Sequence, residues 1–376
     1  MGQEIYIRHR YDTVHMFSAK ERIRRIFQSS KADVLVISNG RVTDSNFLYL
    51  TGFTSGVFEN TFMIVTRKGT ILFASALEYD TARSQKPKEM KIVKLTSSGQ
   101  LIKQFGRYLR GKRVGINESF IPYRHYRAIK RYGKPKTMVD VSESLARARE
   151  IKDKGEIAKI TTANRIMKRV LREAPHYFKT GMTEKQLAAE IDYLMMKYGA
   201  DGTSFPSLIC FDKNSAYPHH LPNDTRLRPN SLVLLDCGSK YKNYCSDVTR
   251  TFIHAPDKKS DKYKRMVEML AVVKEAQLLG ISKVRIGAKG SAAHNAVADF
   301  LDKTRGGKYK GKFIHGLGHA IGIDVHDPGT GLFPSSDARL QENMVTSVEP
   351  GVYIVGFGGV RIEDDIVVTK KGAKVI

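Results

Sequence analysis

The chain has no tryptophan, and only three cysteines in 376 residues. Cys210, Cys237 and Cys245 are too few for a disulfide framework and lack the paired spacing of a zinc finger, so buried free thiols are expected. No run of 18 apolar residues occurs, which leaves no candidate for a membrane-spanning helix. The opening stretch, Met1 to Arg10, lacks the apolar core of a secretory signal, so a soluble cytoplasmic protein with no membrane partner is expected. Acid is also scarce: 38 Asp and Glu stand against 63 Lys and Arg, giving a net charge of +25. Such a balance suits a polyanion or an anionic surface. Yet the cations are spread out, with local clusters at Arg107–Arg113, Arg124–Lys136 and Lys308–Lys312, and none interleaves with a nucleic-acid motif. A generally basic surface with no specific nucleic-acid partner is the expectation.

What remains is a globular composition, 41% hydrophobic and 27% charged, in a chain long enough for two or three domains. Residues 1–145 alternate strand and helix patterns, which predicts an α/β domain. Ser18 to Ser30 reads as a capped helix with Ile23, Ile26 and Phe27 on one face. Asp33–Asn39 reads as a buried strand, and Phe47–Phe53, Phe62–Thr66 and Ile71–Ala74 continue the β pattern around a Lys68-Gly69 turn. Leu77–Gln85 is helical, and Lys91–Leu95 and Gly111–Ile116 are further strands. Nothing in this region cradles a phosphate or spaces ligands for a metal, so support or cover for a site made elsewhere is its expected task.

Residues 146–376 form the second expected domain. Helical signal runs from Gly155 to about Ala174, and Thr183 with Gln186 makes a capping box opening a helix with Leu187, Ile191, Leu194 and Tyr198 on one face. A weak internal repeat links Gly181–Leu194 to Gly287–Leu301, each copy preceding a β-rich segment with acidic residues. Two related halves with a site between them would explain it.

The first of those β-rich segments is Leu234-Leu235-Asp236-Cys237-Gly238 running to Ser246-Asp247-Val248-Thr249-Arg250. Two β-branched, apolar runs joined by a short polar segment read as a hairpin. With the turn centred on Tyr241 and Lys242, Asp236 and Asp247 fall directly opposite each other, with Cβ atoms about 4.5–5.5 Å apart. Like charges so close need a cation between them, and carboxylate oxygens suit a divalent one. The second segment runs from Val345 through Glu349 and Gly356 to Glu363 and Val368. Centred on Gly356, its pairing places Glu349 opposite Glu363, each inside an apolar strand where an unpaired carboxylate is costly to bury. Between the two lie His315, His319 and His326, three of the chain's 11 histidines, in a stretch too rich in glycine for a helix. Glycines there allow backbone to approach a ligand or metal closely. Four acids and an imidazole suffice for a pair of divalent ions about 3.5–4 Å apart, which lower the pKa of a shared water and clamp a tetrahedral intermediate.

The order Asp236, Asp247, His319, Glu349, Glu363, with its flanking residues, resembles the pita-bread metallopeptidases. The Ser246–Phe252 and Gly359–Asp364 segments and the presence of an N-terminal domain are similar to the prolidase and aminopeptidase P branch. The resemblance implies a creatinase-like α/β N-terminal domain followed by a pita-bread catalytic domain, a pseudo-twofold α+β fold. It implies a dinuclear peptidase that hydrolyses the Xaa-Pro bond of proline-containing peptides, as a dipeptidase or an aminopeptidase, in a homodimer. Asp236 would bind one metal, Asp247 and Glu363 would bridge both, and His319 and Glu349 would complete the second, with Glu349 as general base. His219, next to His220, would contact substrate. His326 would assist the intermediate and leaving group, Arg361 would meet a substrate carboxylate or tune the glutamates, and His315 matches a histidine of the aminopeptidase P motif. The ligand types admit Mn or Co, and also Fe or Zn. His326-Asp327 stands where many relatives have His-Glu, and this does not separate the two activities.

Two alternatives accompany this reading. One is a catalytically inactive pita-bread protein that binds nucleic acid or protein through its basic surface. The other is a metal-independent carbon–nitrogen hydrolase resembling creatinase. The intact set of five ligands favours neither.

Overall fold

The computed structural model describes residues 18–376; Met1 to Arg10 and the remainder of the first 17 residues of the expected N-terminal domain lie outside the described residues. Helix α1 (Ala19–Ser29) is capped by Ser18, whose side chain accepts from the Glu21 amide, and it buries Ile23, Ile26 and Phe27 as the spacing predicts. Strand β1 (Val34–Ser38) follows, buried along its whole length. The sequence pattern extends β structure through Phe47–Phe53, but Ser45–Thr51 form helix α2. Asp44 decides this. Its side chain accepts from the Asn46 amide at 2.8 Å and caps the helix. Phe47, Tyr49, Leu50 and Thr51 are all buried, so the helix shows no helical periodicity in its sequence.

Strands β2 (Phe62–Thr66) and β3 (Gly69–Ala74), helix α3 (Tyr79–Gln85) and strand β4 (Met90–Lys94) come where expected. Helix α4 (Ser98–Leu109) was not legible as an element, although Leu101, Phe105 and Leu109 recur every fourth residue on its inner face. Then come β5 (Arg113–Ile116), α5 (Tyr123–Ala128), β6 (Thr137–Asp140) and α6 (Ser142–Glu150). The six strands make one mixed sheet, ordered β4-β3-β2-β1-β5-β6. Helix α6 runs through the expected boundary at 145/146 and packs Leu145 and Ala148 into one buried cluster with Ile23, Phe47 and Leu50. Ile160, Tyr244, Ile321, Ile323 and Val345 of the second unit join the same cluster, so the two units share a core. Each Ile, Leu, Val or Phe side chain of this cluster contributes about 1.5–3 kcal/mol when fully buried.

The second unit repeats one plan. Helix α7 (Lys154–Glu173) opens with a capping box of Asp153 and Glu156, and α8 (Glu184–Lys197) with the predicted box of Thr183 and Gln186. Short strands β7 (Gly202–Thr203) and β8 (Leu208–Phe211) lead to β9 (Ser231–Cys237), β10 (Ser239–Tyr241), β11 (Tyr244–Cys245) and β12 (Val248–His254). Helices α9 (Asp261–Lys283) and α10 (Gly290–Gly307) then precede β13 (Val345–Val348), β14 (Gly351–Ile354), β15 (Gly358–Arg361), β16 (Asp364–Thr369) and β17 (Gly372–Val375).

The weak sequence repeat corresponds to matching structure. The Gly181 amide donates to Leu227 O at 2.8 Å, and the Gly287 amide donates to Leu340 O at 2.8 Å. The Arg226 guanidinium donates to Gly181 O at 2.7 Å, and that of Arg339 to Gly287 O at 2.6 Å. Each copy thus ties the start of a helix to the strand entry that leads to a pair of acids. The first half has its own buried cluster around Met167, Leu187 and Val233, and the second has another around Met269, Val297 and Val348.

Candidate metal centre

The first hairpin exists with a different register. Its turn is Lys242–Asn243, both left-handed with φ of 46° and 70°, flanked by the Tyr241–Tyr244 pair. Those angles belong to a two-residue hairpin turn, for which asparagine is suited. Thr249, not Asp247, therefore stands opposite Asp236. The displacement is two residues, and an even shift leaves side chains on their original face. Asp236 and Asp247 accordingly line the same cavity without being a direct pair.

The second hairpin has the predicted register, with Val348 opposite Asp364 and Gly351 opposite Arg361. The ladder is interrupted between those pairs, at Glu349-Pro350 and Ile362-Glu363. There the backbone turns to other partners: the Glu349 amide donates to Leu317 O at 2.8 Å, and the Glu363 amide to Thr249 O at 3.1 Å. One interruption thus sews the histidine stretch to one glutamate and the first hairpin to the other. The glycines of the histidine stretch serve this join. A Cβ on Gly318 would lie 2.0 Å from Ser347 O, so only glycine lets that backbone lie against β13. The adjacent His319 amide then donates to Ser347 Oγ at 3.0 Å.

These joins bring Asp247, His319 and Glu363 together, with one ligand atom from each lying within 4.8 Å of the other two. His319 Nε2 is also 3.4 Å from Glu349 Oε1. Asp236 lies in the same cavity, but its Oδ2 accepts a hydrogen bond from Arg361 Nη2. Asp236 Oδ1, Asp247 Oδ1 and Glu363 Oε1 are buried with no hydrogen-bond partner. Burial, with Glu363 and Asp236 beside it, pushes Asp247 well above the ordinary carboxylate range. Burial, with Glu349 and Asp236, does the same to Glu363, and burial also raises Glu349. Orphaned oxygens on crowded, buried acids beside an imidazole are the donor set of a divalent cation, which would satisfy the oxygens and relieve the repulsion.

Arg361 is the one guanidinium among the residues lining this cavity of about 520 Å³. Burial opposes its charge, but Tyr353, Asp236, Glu363 and Glu349 around it outweigh that and hold it protonated. It donates to Tyr353 Oη at 2.8 Å and through Nε to Thr249 Oγ1 at 3.1 Å, and Thr249 Oγ1 donates to Glu363 Oε2 at 2.5 Å. Thr249 and Tyr353, together with Ser347 and Asp365, are site residues that the sequence reading missed. Ser347 Oγ donates to Glu349 Oε1 at 3.0 Å, and Asp365 Oδ2 accepts from the Asp247 amide at 3.0 Å and from Asn164 at 2.8 Å. The one sequence signal for Thr249, Ser347 and Asp365 was their place two residues from a predicted ligand, and Tyr353, four residues past Glu349, had none.

Of the two adjacent histidines, His219 lines the cavity, whereas His220 Nε2 is 3.0 Å from Glu184 Oε2. His326 packs against His319 with ring centroids 4.1 Å apart and the rings tilted by 55°, and burial lowers its pKa, as do the neighbouring His319 and His219. His315 lines the cavity with both ring nitrogens engaged, Nδ1 at 2.7 Å from Gly316 O and Nε2 at 2.8 Å from Tyr353 Oη. Phe205, Leu208, Leu221, Val325 and Phe333 supply an apolar wall.

The family model for metallopeptidase family M24 matches residues 158–370, and that for the Creatinase/Prolidase N-terminal domain matches residues 20–151. The chain belongs to metallopeptidase family M24. It is an enzyme that uses divalent metal, with the expected creatinase-like N-terminal domain and pita-bread catalytic domain. The uncharacterized peptidase YqhT of Bacillus subtilis (strain 168) is 32% identical over 361 residues, 95% of this chain and 96% of that one. The structure of an Xaa-Pro dipeptidase from Bacillus anthracis is similar with a TM-score of 0.84 at 29% identity, covering 95% of this chain and 96% of the other. That of an X-Pro aminopeptidase from Thermotoga maritima MSB8 also gives 0.84, at 27% identity, over 93% and 97%. All three cysteines are free and buried, and among the described residues no helix is long and apolar enough to cross a membrane.

Proposed function

We propose that this M24 enzyme hydrolyses the peptide bond before proline, using two divalent ions held by Asp236, Asp247, His319, Glu349 and Glu363. The observation that carries the reading is the convergence of Asp247, His319 and Glu363, with their unpartnered oxygens, on the floor of a cavity walled by further imidazoles. Similarity to enzymes named as acting on Xaa-Pro bonds, in both the dipeptidase and aminopeptidase forms, supports the proline preference. The ions, once bound, supply an activated water and offset the negative charge that develops on the substrate.

The chain's own residues divide the remaining work. Glu349 accepts the proton of the attacking water. Burial raises its pKa, which makes its carboxylate a stronger base, and Ser347 Oγ fixes one of its oxygens. His219 and His326 face the substrate as hydrogen-bonding imidazoles, stabilising the carbonyl oxygen and relaying the proton that Glu349 took from water to the departing proline nitrogen. The lowered pKa of His326 keeps its ring neutral at pH 7, free to donate or accept. Arg361 holds Asp236 in place, and Tyr353 joins Arg361 to His315. With both nitrogens occupied, His315 meets a substrate by its ring face. The apolar wall takes the side chain preceding proline.

Residues 1–145 serve as the accessory unit and residues 146–376 as the catalytic one. A cytoplasmic homodimer loaded with Mn or Co completes the reading, with Fe or Zn as further metals that this ligand set accepts. The test is hydrolysis of Xaa-Pro and Xaa-Pro-Yaa peptides by protein stripped of metal and reloaded with Mn²⁺, Co²⁺, Fe²⁺ or Zn²⁺. Cleavage before proline that returns with metal supports the reading. Undiminished hydrolysis after thorough chelation, or equal cleavage before alanine, sinks it.

A further inference from the structure

His326 sits in a loop, residues 322–330, that forms neither helix nor strand. A buried cluster of charges on the next residue holds that loop. Asp327 Oδ2 is 3.2 Å from Lys152 Nζ, and Asp327 Oδ1 accepts from Arg149 Nη2 and, at 3.1 Å, from the Asp324 amide. Arg149 Nη2 also reaches Asp324 Oδ2 at 2.7 Å, and Ser45 Oγ donates to Asp324 Oδ1 at 2.6 Å. The side chains of Arg149, Lys152 and Asp327 are 5%, 1% and 2% exposed. A Cβ on Gly322 would lie 2.4 Å from the Asp327 carboxyl carbon, so the loop closes tightly over this group. Ile321 and Ile323 complete the attachment by entering the shared core beside Ile23 and Leu145.

The groups that fix the loop therefore come from α2 and α6, and from Lys152 just past α6. A carboxylate taken out of water is tolerated when its pairing is complete, and breaking such a pairing leaves a charge that must find water or a new partner. Burial would raise the Asp327 pKa, yet Lys152 and Arg149 hold its carboxyl below the usual range, as a completed pairing requires. Asp327 and His326 are consecutive: one side chain is locked among the cations, and the other faces the cavity against His319.

We propose that Arg149, with Lys152, is a positioning residue for the reaction: it fixes His326 through Asp327, which makes the segment that joins the two units part of the catalytic apparatus. The proposal rests on the reading of His326 as a residue that meets substrate. The experiment compares Arg149→Gln, Arg149→Lys, Asp327→Asn and the double variant Arg149→Gln/Asp327→Asn in the full-length, Mn²⁺-loaded enzyme. It measures kcat and KM on an Xaa-Pro peptide, Mn²⁺ affinity by calorimetry, and amide hydrogen exchange over residues 322–330.

For Arg149→Gln, kcat should fall ~10–100-fold with little change in KM or Mn²⁺ affinity, the scale expected from misplacing a reacting group by about an ångström. Exchange in the loop should accelerate, while exchange in β9 and β13 stays at the parental rate. Arg149→Lys should recover part of kcat by restoring the charge. The double variant should gain nothing over Arg149→Gln, because Asp327 keeps Lys152 as its partner in the single variant and Asp327→Asn leaves that buried ammonium without a carboxylate. Parental loop exchange in Arg149→Gln overturns the anchoring, as does a loss of kcat shared equally with Mn²⁺ affinity. Should Arg149→Gln fail to fold, the lysine and double variants decide the matter by the same two measurements, and parental values in both overturn it. A fully active His326→Ala enzyme overturns the reading of His326 instead, whatever the loop does.

Discussion

His319 Nε2 stands 3.4 Å from Asp247 Oδ2. That is long for a hydrogen bond to a carboxylate and short enough for one cation to touch both atoms. Replacing Asp247 by alanine removes one of the three convergent donors, Asp247, His319 and Glu363. Calorimetric Mn²⁺ affinity should fall by ~10²-fold or more, and peptidase activity with it, while the far-UV circular dichroism remains that of the parent. Parental Mn²⁺ affinity in this variant would remove Asp247 from the proposed ligand set.

The same crowding sets a pH signature. Burial holds Asp365 at about 7 even though Asn164 and the Asp247 amide donate to it, and Asp247 and Glu363 are also raised. A carboxyl whose folded pKa exceeds its unfolded value stabilises the fold fully below the unfolded pKa, and this contribution disappears as pH rises through the folded one. Chelated protein should therefore lose melting temperature between about pH 4 and pH 7, where Asp365 ionises. Cation binding requires the ionised acids, so the gap in melting temperature between Mn²⁺-loaded and chelated protein should widen over the same range. Parallel pH profiles for the two forms would contradict this.

Arg361 is buried among acids and its guanidinium contacts Asp236, Tyr353 and Thr249. Arg361→Ala strands the Asp236 charge and should cost roughly 3–5 kcal/mol in urea unfolding of the chelated protein. Arg361→Lys keeps the charge but loses the fork that reaches three partners, so it should fold and show lower kcat. A neutral Arg361→Ala substitution would mean that Asp236 finds solvent.

His219 and His220 should separate cleanly. His219→Ala removes a cavity imidazole and should lower kcat/KM by ~10²-fold or more with little effect on stability. His220→Ala deprives Glu184, which is fully buried and also accepts from the Phe211 amide at 2.7 Å, of one partner. It should cost about 1–3 kcal/mol of stability, read from denaturant melts, with near-parental kcat. The reverse assignment of the two effects would exchange their roles.

Much of this site was legible because its residues sit in local patterns. Gly356 centres a hairpin whose register follows directly, so the pairings that flank the two glutamates, Val348 with Asp364 and Gly351 with Arg361, could be read from spacing alone, whereas the break in the ladder at Glu349 and Glu363 could not. The first hairpin misled by two residues because Lys242 and Asn243 both take left-handed conformations, to which only the asparagine is suited. Helix α2 misled for another reason: being buried nearly all round, it lacks the polar face that marks a helix. Thr249, Tyr353 and Asp365 were invisible as site residues, since a hydroxyl or a third acid beside a ligand carries no pattern of its own.

By itself the sequence determined the candidate ligands, their order along the chain and the twofold plan from Gly181 and Gly287, because capping boxes, β-alternation and turns act over a few residues. Tertiary structure decided which of them meet. The break at Glu349-Pro350 frees an amide for Leu317, the break at Glu363 frees another for Thr249, and Arg149, on the helix that spans the boundary between the two units, reaches Asp327. Those contacts join positions up to 178 residues apart. Nothing local specifies them, because each depends on burial that exists only once both units share a core.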